Sequence, residues 1–459
     1  MAGIPEYELA WIGDKVETNF KDIQISAQNL VACQGEIGDF ILTCNDQNNP
    51  AEIKAENIII NLPYQEEPVI EGVTSLLNDN YNLDVDMPAV ILQDYPDLSA
   101  AFISRDGLKR SLEIKNDYPD KEVYYFYQAM RFLEDNDRLY EEARKAGIVF
   151  LKFDIGQLTV TEDLKIKYKR EDIELELTGT ILAAPELKAT KETKRLAKIF
   201  NLAEGYQDYL QLDNIYLQPT LSGRRGLYLL RGSRGPTALT YFQEELDFTL
   251  KEVSRNLTGV EEIDSYERTV DDQKCILCYT CYRVCPHGAI QRDAELNSMK
   301  VMNLACQGCN LCISRCPTSA IEIDYNYFQQ KDSLEAETTL IICENSAEIA
   351  AEKYDSLTGE DPLAGFKKVV VPCVSTVQRK EIIQLLAGDS KDVMILGCVA
   401  EACKHLTGHD RCQQVVDRIK EDLAKLDLDQ DRIHYKRLSP RMANDLGGFL
   451  ADWKEAVIQ

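Results

Sequence analysis

The C-terminal third of the chain alternates short apolar runs with amphipathic stretches. The apolar runs TTLIICEN (338–345), FKKVVVPCV (366–374) and DVMILGCV (392–399) have the length and β-branched content of buried strands. The stretches EIAAEKYDSL, QRKEIIQLLAG and QQVVDRIKEDLAKL have the apolar spacing of helices. Strands that alternate with helices in this way predict a small parallel α/β sheet.

The first 255 residues mix the same two patterns less regularly. Residues 36–63 predict a hairpin followed by a hydrophobic strand, and residues 226–257 predict a strand, a glycine-rich turn and a long helix. Between them, alternating strands and helices are predicted at MPAVILQDYP, AAFISRDGLKRSLEIKND, KEVYYFYQAM, LYEEARKAG and IVFLKFDI. The sum is an α/β region with Rossmann-type βαβ units.

Length and charge narrow the possible functions. The 459 residues suffice for about three domains. A net charge of −26, from 77 acidic and 51 basic residues, argues against nucleic-acid binding and against electrostatic docking on anionic lipid. No apolar run approaches the length of a membrane span, and the first residues have no signal-peptide core. A cytoplasmic location is predicted, where 15 cysteines indicate metal or redox chemistry.

The pattern C-x2-C-x2-C-x3-C-P occurs twice, and this tandem is typical of a two-cluster bacterial ferredoxin. In such proteins the first three cysteines of each run bind one 4Fe-4S cluster and the fourth binds the other cluster. One cluster would therefore use Cys275, Cys278, Cys281 and Cys316, and the second would use Cys306, Cys309, Cys312 and Cys285. Zinc would leave the third cysteine of each run unexplained, and disulfides require an oxidising compartment.

The three C-terminal strands end in cysteines, namely Cys343, Cys373 and Cys398, and Cys403 follows five residues after the last of these. Ligands of open α/β sheets bind at the carboxyl ends of the strands, so four thiolates meet at one edge. Each cysteine alone could be a small buried residue. Their repetition at all three strand ends predicts a second metal site.

The segment from about 338 to 440 resembles the delta subunit of methyl-viologen-reducing hydrogenase, an electron-transfer domain with one 2Fe-2S cluster. The family has a cysteine pair after the first strand, a cysteine after the second and GC-x4-C after the third. Here CENS keeps Cys343 but places Ser346 at the second position of the pair, while PCVS keeps Cys373 and GCVAEAC keeps Cys398 and Cys403. The resemblance implies a 2Fe-2S cluster on these four cysteines, with Cys412 as a possible substitute.

The N-terminal region resembles the flavoprotein portion of the heterodisulfide reductase A subunit, which is built like thioredoxin reductase. The resemblance rests on EVYYFYQAMRF, LYEEARKAGIVFLKF and LQPTLSGRRGLYLLRGSRGPT. The B subunit of quinone-interacting membrane-bound oxidoreductase combines such a flavoprotein part with two 4Fe-4S clusters and a hydrogenase-delta-like C-terminal part. The implied domains are a degenerate flavoprotein-like region at 1–260, with a nucleotide-domain-like part at about 86–180, a two-cluster ferredoxin domain at 261–330, and a hydrogenase-delta-like domain at 331–459.

The departures from this family concern the flavin. A dinucleotide site needs G-x-G-x-x-G after its first strand, and this sequence contains none. The second nucleotide site reads QDYPDLSA, which places Asp94 and Asp97 where phosphate would lie. Only RGSRGP remains, where Arg231 and Arg234 could favour phosphate. Bound FAD is therefore not expected, and a vestigial flavoprotein fold that serves as a scaffold is predicted.

The remaining single residues predict little chemistry. Cys33 and Cys44 have no ligand spacing and are predicted to be buried hydrophobic residues. The four histidines form no pair that suggests catalysis; His287 follows a cluster cysteine closely enough to tune its potential, and His405 is predicted to be structural.

The sequence predicts an iron–sulfur electron-transfer subunit of a multi-subunit redox complex from anaerobic metabolism. The resemblance implies heterodisulfide-reductase-like subunits, a hydrogenase or formate dehydrogenase, or an electron-transfer flavoprotein as partners. The alternative is a flavin-containing oxidoreductase subunit, electron-bifurcating or not, whose flavin site has diverged. A redox-sensing or assembly protein that uses its clusters as a switch is a further hypothesis.

Overall fold

The structure is a computed structural model. It describes residues 4–45, 51–68, 70–84, 86–93, 100–130, 136–214, 218–236, 242–258, 267–323, 327–329, 337–388, 390–400 and 403–458. The predicted α/β class is confirmed, since strands and helices alternate through most of the chain.

The chain begins with strands that build the first half of a large sheet. They are β1 (Glu6–Gly13), β2 (Asp22–Ile25), β3 (Leu30–Gln34), β4 (Phe40–Cys44) and β5 (Glu52–Leu62). Strand β1 pairs in parallel with both β2 and β5, while β4 pairs antiparallel with β3 and β5. The predicted hairpin corresponds to β4 and β5, and the predicted hydrophobic strand is the second half of β5 and not a separate strand. Residues 14–21 join β1 to β2 without a helix.

A second sheet follows. Its region contains β6 (Gln65–Glu67), β7 (Thr74–Ser75), β8 (Ala89–Gln93), α1 (Ala100–Asp117), β9 (Val123–Tyr127), α2 (Asn136–Lys145), β10 (Val149–Lys152), β11 (Leu158–Val160), β12 (Lys165–Arg170), β13 (Ile173–Thr178), β14 (Thr180–Ala183) and β15 (Glu186–Lys188). Strands β10-β9-β8-β14-β7 form a parallel sheet, as the βαβ pattern predicts. Strands β11-β12-β13 form an antiparallel sheet that the sequence pattern did not indicate.

The chain then returns to the first sheet. The elements are α3 (Lys191–Phe200), β16 (Leu212–Asn214), β17 (Gln218–Ser222), β18 (Leu227–Arg231) and α4 (Phe242–Thr258). Strand β18 pairs in parallel with β5, so the large sheet has the order β16-β17-β18-β5-β1-β2. Helix α4 covers one face of this sheet through Leu246 and Val253, which pack on Trp11.

The next part is short and internally repeated. It contains β19 (Arg268–Val270), α5 (Thr280–Val284), β20 (Ile290–Asp293), β21 (Ser298–Val301), α6 (Leu311–Arg315) and β22 (Ile321–Ile323). Helices α5 and α6 begin 31 positions apart, at 280 and 311. The first strand pairs with the last, β19 with β22, and β20 pairs with β21. This pairing brings the two cysteine runs together.

The C-terminal part is a parallel sheet with helices on both faces. It contains β23 (Thr338–Cys343), α7 (Ile349–Thr358), β24 (Lys367–Val371), α8 (Arg379–Ala387), β25 (Asp392–Cys398), α9 (Gly408–Lys425), β26 (Ile433–Leu438) and α10 (Ala443–Ile458). The strand order is β24-β23-β25-β26. The predicted parallel sheet is confirmed, with β26 and α10 as additions that the sequence pattern did not indicate.

The repeated part lies between the other two. The Ala305 amide donates to Glu36 of the large-sheet region at 3.0 Å, and Arg411 of α9 donates to the Ser314 carbonyl at 2.9 Å. Among the helices that the structure describes, none is long and apolar enough to cross a membrane.

Candidate metal centres

Four cysteines of the repeated part line one cavity. They are Cys275, Cys278, Cys281 and Cys316, and we call them the first ferredoxin set. Val270, Met299 and Ile321 line the same cavity with apolar surface. Cys316 comes from the second cysteine run, so the structure brings together the four residues that the motif predicts for one cluster.

The backbone around the cysteines repeats with the sequence. Leu277 and Gly308, the residues before Cys278 and Cys309, both have positive φ, at 53° and 72°. Amides also point at the sulfurs in the same way in each run, with Ala320 N lying 3.2 Å from Cys316 Sγ and Ala289 N lying 3.4 Å from Cys285 Sγ. Such N–H groups stabilise a thiolate, as metal-bound sulfur requires.

The second ferredoxin set is Cys285, Cys306, Cys309 and Cys312. Burial raises the pKa of Cys309 well above its usual value, and its neighbours Cys285 and Cys312 raise the pKa further. Burial likewise raises the pKa of Cys312, followed by the effects of Cys285 and Cys306. These four thiols therefore crowd together in a site from which water is excluded.

The chemistry of both sets fits iron–sulfur clusters. Burial raises the pKa of Cys281 to about 11, and its neighbours Cys278 and Cys275 add to this shift. Neighbouring buried thiolates repel one another, and cations among them offset the repulsion. Which atoms bind which cluster stays a prediction.

The two ferredoxin sets differ in their access to the surface. Cys275 and Cys278 are partly exposed, and Ile276 between them is 64% exposed. Cys285, Cys309 and Cys312 are buried. Cys281 of the first set is also buried and Cys306 of the second is partly exposed, so the second set is the more buried of the two without being fully enclosed.

A third group of cysteines lies at the carboxyl edge of the C-terminal sheet. Cys343 and Cys398 end the neighbouring strands β23 and β25, and their sulfurs are 3.6 Å apart. The hydrogen bond with Cys343 raises the pKa of Cys398 to about 12. Cys373 and Cys403 are also neighbours, and burial followed by Cys403 raises the pKa of Cys373 to about 12. These four residues form the C-terminal set.

Gly408 packs directly against this set at the start of α9. A Cβ at this position would collide with Cys373 Sγ and lie 3.7 Å from Cys403 Sγ. Only glycine lets the helix approach these sulfurs so closely.

Two further residues bear on the ligands of this site. Ser346 stands where the delta-subunit pattern has a cysteine; it is fully buried, and its side chain lies within hydrogen-bond reach of the Cys398 thiol, whose pKa it lowers against the larger raising effect of Cys343. Cys412 is fully buried in α9, and its pKa is raised first by burial and then by the neighbouring Cys373. The structure thus offers a fifth thiol, and the choice of four ligands stays a prediction.

The second ferredoxin set and the C-terminal set meet. Cys309 and Cys373 belong to one small buried cluster with Leu311, against which Val284 packs. Ser375, two residues after Cys373, donates its hydroxyl to the Cys309 carbonyl at 2.7 Å. One ligand candidate of each site therefore belongs to the same small buried cluster, and Cys373 is close enough to raise the pKa of Cys309.

The structure also brings two histidines together. His287 Nε2 and His405 Nδ1 are 2.8 Å apart in a buried contact, and His287 Nδ1 lies 2.6 Å from the Gly223 carbonyl oxygen. Nothing in the sequence indicated this pair, and the prediction that the histidines form no pair suggesting catalysis stays a prediction. The two residues are 118 positions apart, and no sequence pattern indicates such a contact. Each histidine does follow a cysteine by two residues, at Cys285 and Cys403.

In the flavin-like segment RGSRGP (231–236), both arginines form ion pairs with carboxylates of the protein. Arg231 lies 3.3 Å from Asp14, and Arg234 pairs with the buried carboxylate of Glu245. A Cβ at Gly232 would collide with the carbonyl of Pro63, so the backbone here packs on protein. Asp94 and Asp97 lie outside the described residues. To bind a phosphate group, Arg231 would have to break its ion pair with Asp14, and Arg234 its ion pair with Glu245.

The two isolated cysteines lie in or near the core. Cys44 is 8% exposed within the core of the large sheet, while Cys33 is partly buried and packs against that core. The prediction of buried residues is confirmed for Cys44.

Two family descriptions match parts of this chain. Residues 268–323 match the 4Fe-4S dicluster domain, and residues 339–459 match the delta subunit of methyl-viologen-reducing hydrogenase. A pyruvate synthase subunit PorD from Methanocaldococcus jannaschii is 39% identical over 67 residues, which are 15% of this chain and 74% of that protein. The predicted resemblances to a two-cluster ferredoxin and to the hydrogenase delta subunit are therefore confirmed.

Longer matches connect the chain to heterodisulfide reductase. The A subunit of a ferredoxin/F(420)H(2)-dependent CoB-CoM heterodisulfide reductase from Methanosarcina acetivorans is 23% identical over 375 residues. The corresponding ferredoxin:CoB-CoM protein from Methanosarcina mazei is 21% identical over 372 residues. Each match covers 76% of this chain and 46% of the relative, so the chain spans about half the length of these relatives.

Among solved structures, an HOCl-induced flavoprotein disulfide reductase from Escherichia coli is similar at a TM-score of 0.33 and 14% identity. The similarity covers 55% of this chain and 54% of that one. The sequence relatives, together with the dicluster domain, support a role in redox electron transfer and the presence of iron–sulfur clusters.

Proposed function

Because this chain is a relative of the heterodisulfide reductase A subunit and carries a 4Fe-4S dicluster domain and a hydrogenase delta-subunit domain, we propose that it transfers electrons within a multi-subunit redox complex. The two ferredoxin sets would each hold a 4Fe-4S cluster, and the C-terminal set would hold a 2Fe-2S cluster. When bound, these clusters supply reversible one-electron transfer.

The contact between Cys309 and Cys373 is the observation that carries this proposal. Electron transfer needs redox centres that approach closely through protein, and a bonded or packed route favours it. Cys309 and Cys373 pack in one apolar cluster, and the Ser375 hydroxyl links the two backbones by a hydrogen bond of 2.7 Å. The second ferredoxin set and the C-terminal set would thus exchange electrons directly.

The difference in exposure suggests a direction for the route. Ile276 and Tyr282, beside the first ferredoxin set, are 64% and 43% exposed. A partner protein could approach that set closely, whereas Cys309 is reached only from within the chain. The first set would therefore exchange electrons with a partner, and the second would relay them to the C-terminal set.

Buried groups around the relay exclude water and hold the sulfurs in place. Leu311 is 1% exposed and covers Cys309. Asn310 Nδ2 donates to Thr376 Oγ1 at 3.3 Å, and Arg268 Nε donates to Asn310 Oδ1 at 2.9 Å. These bonds fix the loop that carries Cys309 against the loop that carries Cys373.

The proposed partners are other subunits of a heterodisulfide-reductase-like complex, a hydrogenase or formate dehydrogenase, or an electron-transfer flavoprotein. The names of the relatives and the delta-subunit domain support partners of this general kind. Isolation of the native complex under anaerobic conditions, with identification of its subunits, tests the choice among them.

The alternative, a flavin-containing oxidoreductase subunit, requires Arg231 or Arg234 to leave a carboxylate. Because both arginines are already paired, we favour the interpretation that this region is a vestigial flavoprotein fold that serves as a scaffold. Stoichiometric flavin released from the anaerobically purified protein on denaturation would contradict the scaffold interpretation and support the alternative.

A reductive titration tests the proposal. The anaerobic protein should accept three electrons per chain, one for each cluster, with three distinguishable paramagnetic signals. The Cys373→Ser variant should lose one reducible centre, and Cys44→Ser, which changes a core cysteine outside the three sets, should keep all of them. A folded protein that accepts no electrons would overturn the proposal.

A further inference from the structure

We propose that a crevice between the large sheet, the ferredoxin domain and the C-terminal domain binds an oxyanion of the phosphate class. The crevice has a cavity volume of about 210 Å³. Its charged lining residues are Arg224, Arg225, Arg255, Lys404, Asp213 and Glu252. It lies at the amino end of β18, whereas the flavin-like RGSRGP segment lies at the carboxyl end of that strand.

The lining of the crevice reverses the charge balance of the molecule. In the whole chain acidic residues outnumber basic ones by 77 to 51, whereas four cations and two carboxylates face this space. A local excess of positive charge in a concave site concentrates anions. In an otherwise acidic protein, this makes the crevice a distinct site for a negatively charged ligand.

Arg224 is the buried member of the group. It is 4% exposed, and its two terminal nitrogens donate to the carbonyls of Phe200 at 3.1 Å and Gly35 at 2.7 Å. Its side chain also lies within hydrogen-bond reach of the Cys33 thiol, and its Nε makes no further hydrogen bond among the described residues. None of these partners is a carboxylate, so a ligand oxyanion would be the first anionic partner of this buried guanidinium.

The two carboxylates of the crevice are paired with two of its cations. Asp213 lies 3.5 Å from Lys404, and Glu252 lies 2.7 Å from Arg255. Within the described part of the chain, no carboxylate lies within ion-pair distance of Arg225, whose Nη1 donates to the Leu304 carbonyl at 3.4 Å. The charge of Arg225 also acts on Asp213, but without an ion pair, so the positive charge that no ion pair offsets lies with Arg224 and Arg225, which are adjacent in sequence.

The position of the crevice links the ligand to the proposed redox sites. Gln307, which follows Cys306, and Lys404, which follows Cys403, both line it. A bound anion adds negative charge beside two metal centres and so disfavours the addition of an electron. This coupling rests on the proposed function; the binding itself does not. By linkage, reduction of the centres would weaken anion binding by the same factor.

Equilibrium binding to the full, anaerobically purified chain tests the site. Inorganic phosphate and adenosine diphosphate are titrated separately, at an ionic strength held constant with chloride. We expect saturable binding of at least one of them. Arg225→Gln should weaken it about tenfold, because a charge-assisted hydrogen bond is lost. Arg255→Gln, on the exposed side of α4, should weaken it as well and leaves the domain junction intact.

Lys251→Gln is the matched control, because Lys251 lies on helix α4 together with Arg255 but lines a different pocket. It should bind as tightly as the unaltered protein. Preference for the diphosphate would identify an organic phosphate as the ligand, and equal affinity would identify the free oxyanion. Binding that is absent, or that Lys251→Gln weakens as much as Arg225→Gln, would overturn the site.

The coupling has its own measurement. The midpoint potentials of the centres should fall as the anion binds, and in Arg225→Gln the same fall should require about tenfold more anion. Binding without any shift in potential would overturn the coupling but leave the site. A chain that binds phosphate yet contains no reducible centre would contradict the proposed function and not the crevice.

Discussion

His287 of the ferredoxin domain and His405 of the C-terminal domain share a hydrogen bond of 2.8 Å between Nε2 and Nδ1, buried from solvent. The Gly223 carbonyl can only accept, so His287 Nδ1 carries a proton and donates to it at 2.6 Å. Burial lowers the pKa of His287 to about 3, so the ring is neutral and its Nε2 accepts. His405 Nδ1 is then the donor, and this assignment follows from the network.

The histidine contact should hold the two domains together. His287→Ala would leave His405 and the Gly223 carbonyl with one hydrogen bond fewer each, at a cost of about 1–3 kcal/mol. Amide hydrogen exchange should therefore become faster around 404–406 and 286–289. His434→Ala, which removes a histidine that packs on Trp453 away from the junction, is the control. Unchanged exchange in His287→Ala would show that the contact contributes nothing.

Gly408 offers a test of the C-terminal site that changes no sulfur. In Gly408→Ala the new methyl group would collide with Cys373 Sγ, so we expect loss of the C-terminal iron with the ferredoxin iron retained. Gly448→Ala, in helix α10, meets nothing within 4 Å and should be stabilised by up to about 1 kcal/mol. Full iron content in Gly408→Ala would contradict a metal between Cys373 and Cys403.

The ligands of the C-terminal site can be separated by serine substitution. Cys398→Ser should remove the iron of this site, because Cys398 lies 3.6 Å from Cys343 and next to Cys403. Cys412→Ser should retain it, because Cys412 lies within helix α9 and not at the end of a strand. Iron analysis with electron paramagnetic resonance of the reduced protein distinguishes them. Loss of iron from Cys412→Ser alone would make Cys412 the ligand in place of one of the predicted four.

A carboxyl group outside these sites should make local stability depend on pH. Burial raises the pKa of Asp106, in helix α1, to about 6. Between the usual aspartate pKa of about 4 and this value, the folded state binds more protons than the unfolded state, so stability falls as pH rises through that window. In Asp106→Asn the side chain cannot ionise, so the stability of the folded state should not fall with pH for this reason.

Native-state hydrogen exchange of the α1 amides, corrected for the intrinsic rate at each pH, measures the effect. Asp106→Asn should protect α1 more than the unaltered chain at pH 8, by on the order of 1 kcal/mol, and the advantage should shrink towards pH 5. Asp172→Asn, in the exposed turn between β12 and β13, should show no such trend. An advantage that is equal at both pH values would exclude ionisation of Asp106 as its cause.

Much of the fold could be predicted from local pattern. The strands that end in Cys343 and Cys398 are continuous apolar runs of ordinary length, and the helices between strands are amphipathic. The antiparallel strands β11 to β13 were missed because short, charged segments such as KIKYKR carry little apolar signal. Strand β1 was missed because its apolar run, Leu9 to Ile12, is short and follows acidic residues, although all four residues are fully buried.

The cysteine sets could be predicted because ligand spacing is local and repeated. The contacts between the sets could not. The Cys309–Cys373 contact and the His287–His405 bond join residues that are far apart in the chain, and they depend on how whole domains dock. The same holds for the crevice around Arg224, since its cations come from three parts of the sequence. Such sites follow from tertiary packing and leave no periodic pattern.

The central claim is that cysteine sulfurs hold inorganic iron at three places in this chain. Iron and acid-labile sulfide analysis of the anaerobically purified full chain tests it most directly. Two 4Fe-4S clusters and one 2Fe-2S cluster predict about ten irons and about ten sulfides per chain. A folded protein that contains no iron, or that carries zinc on these cysteines, would contradict the account.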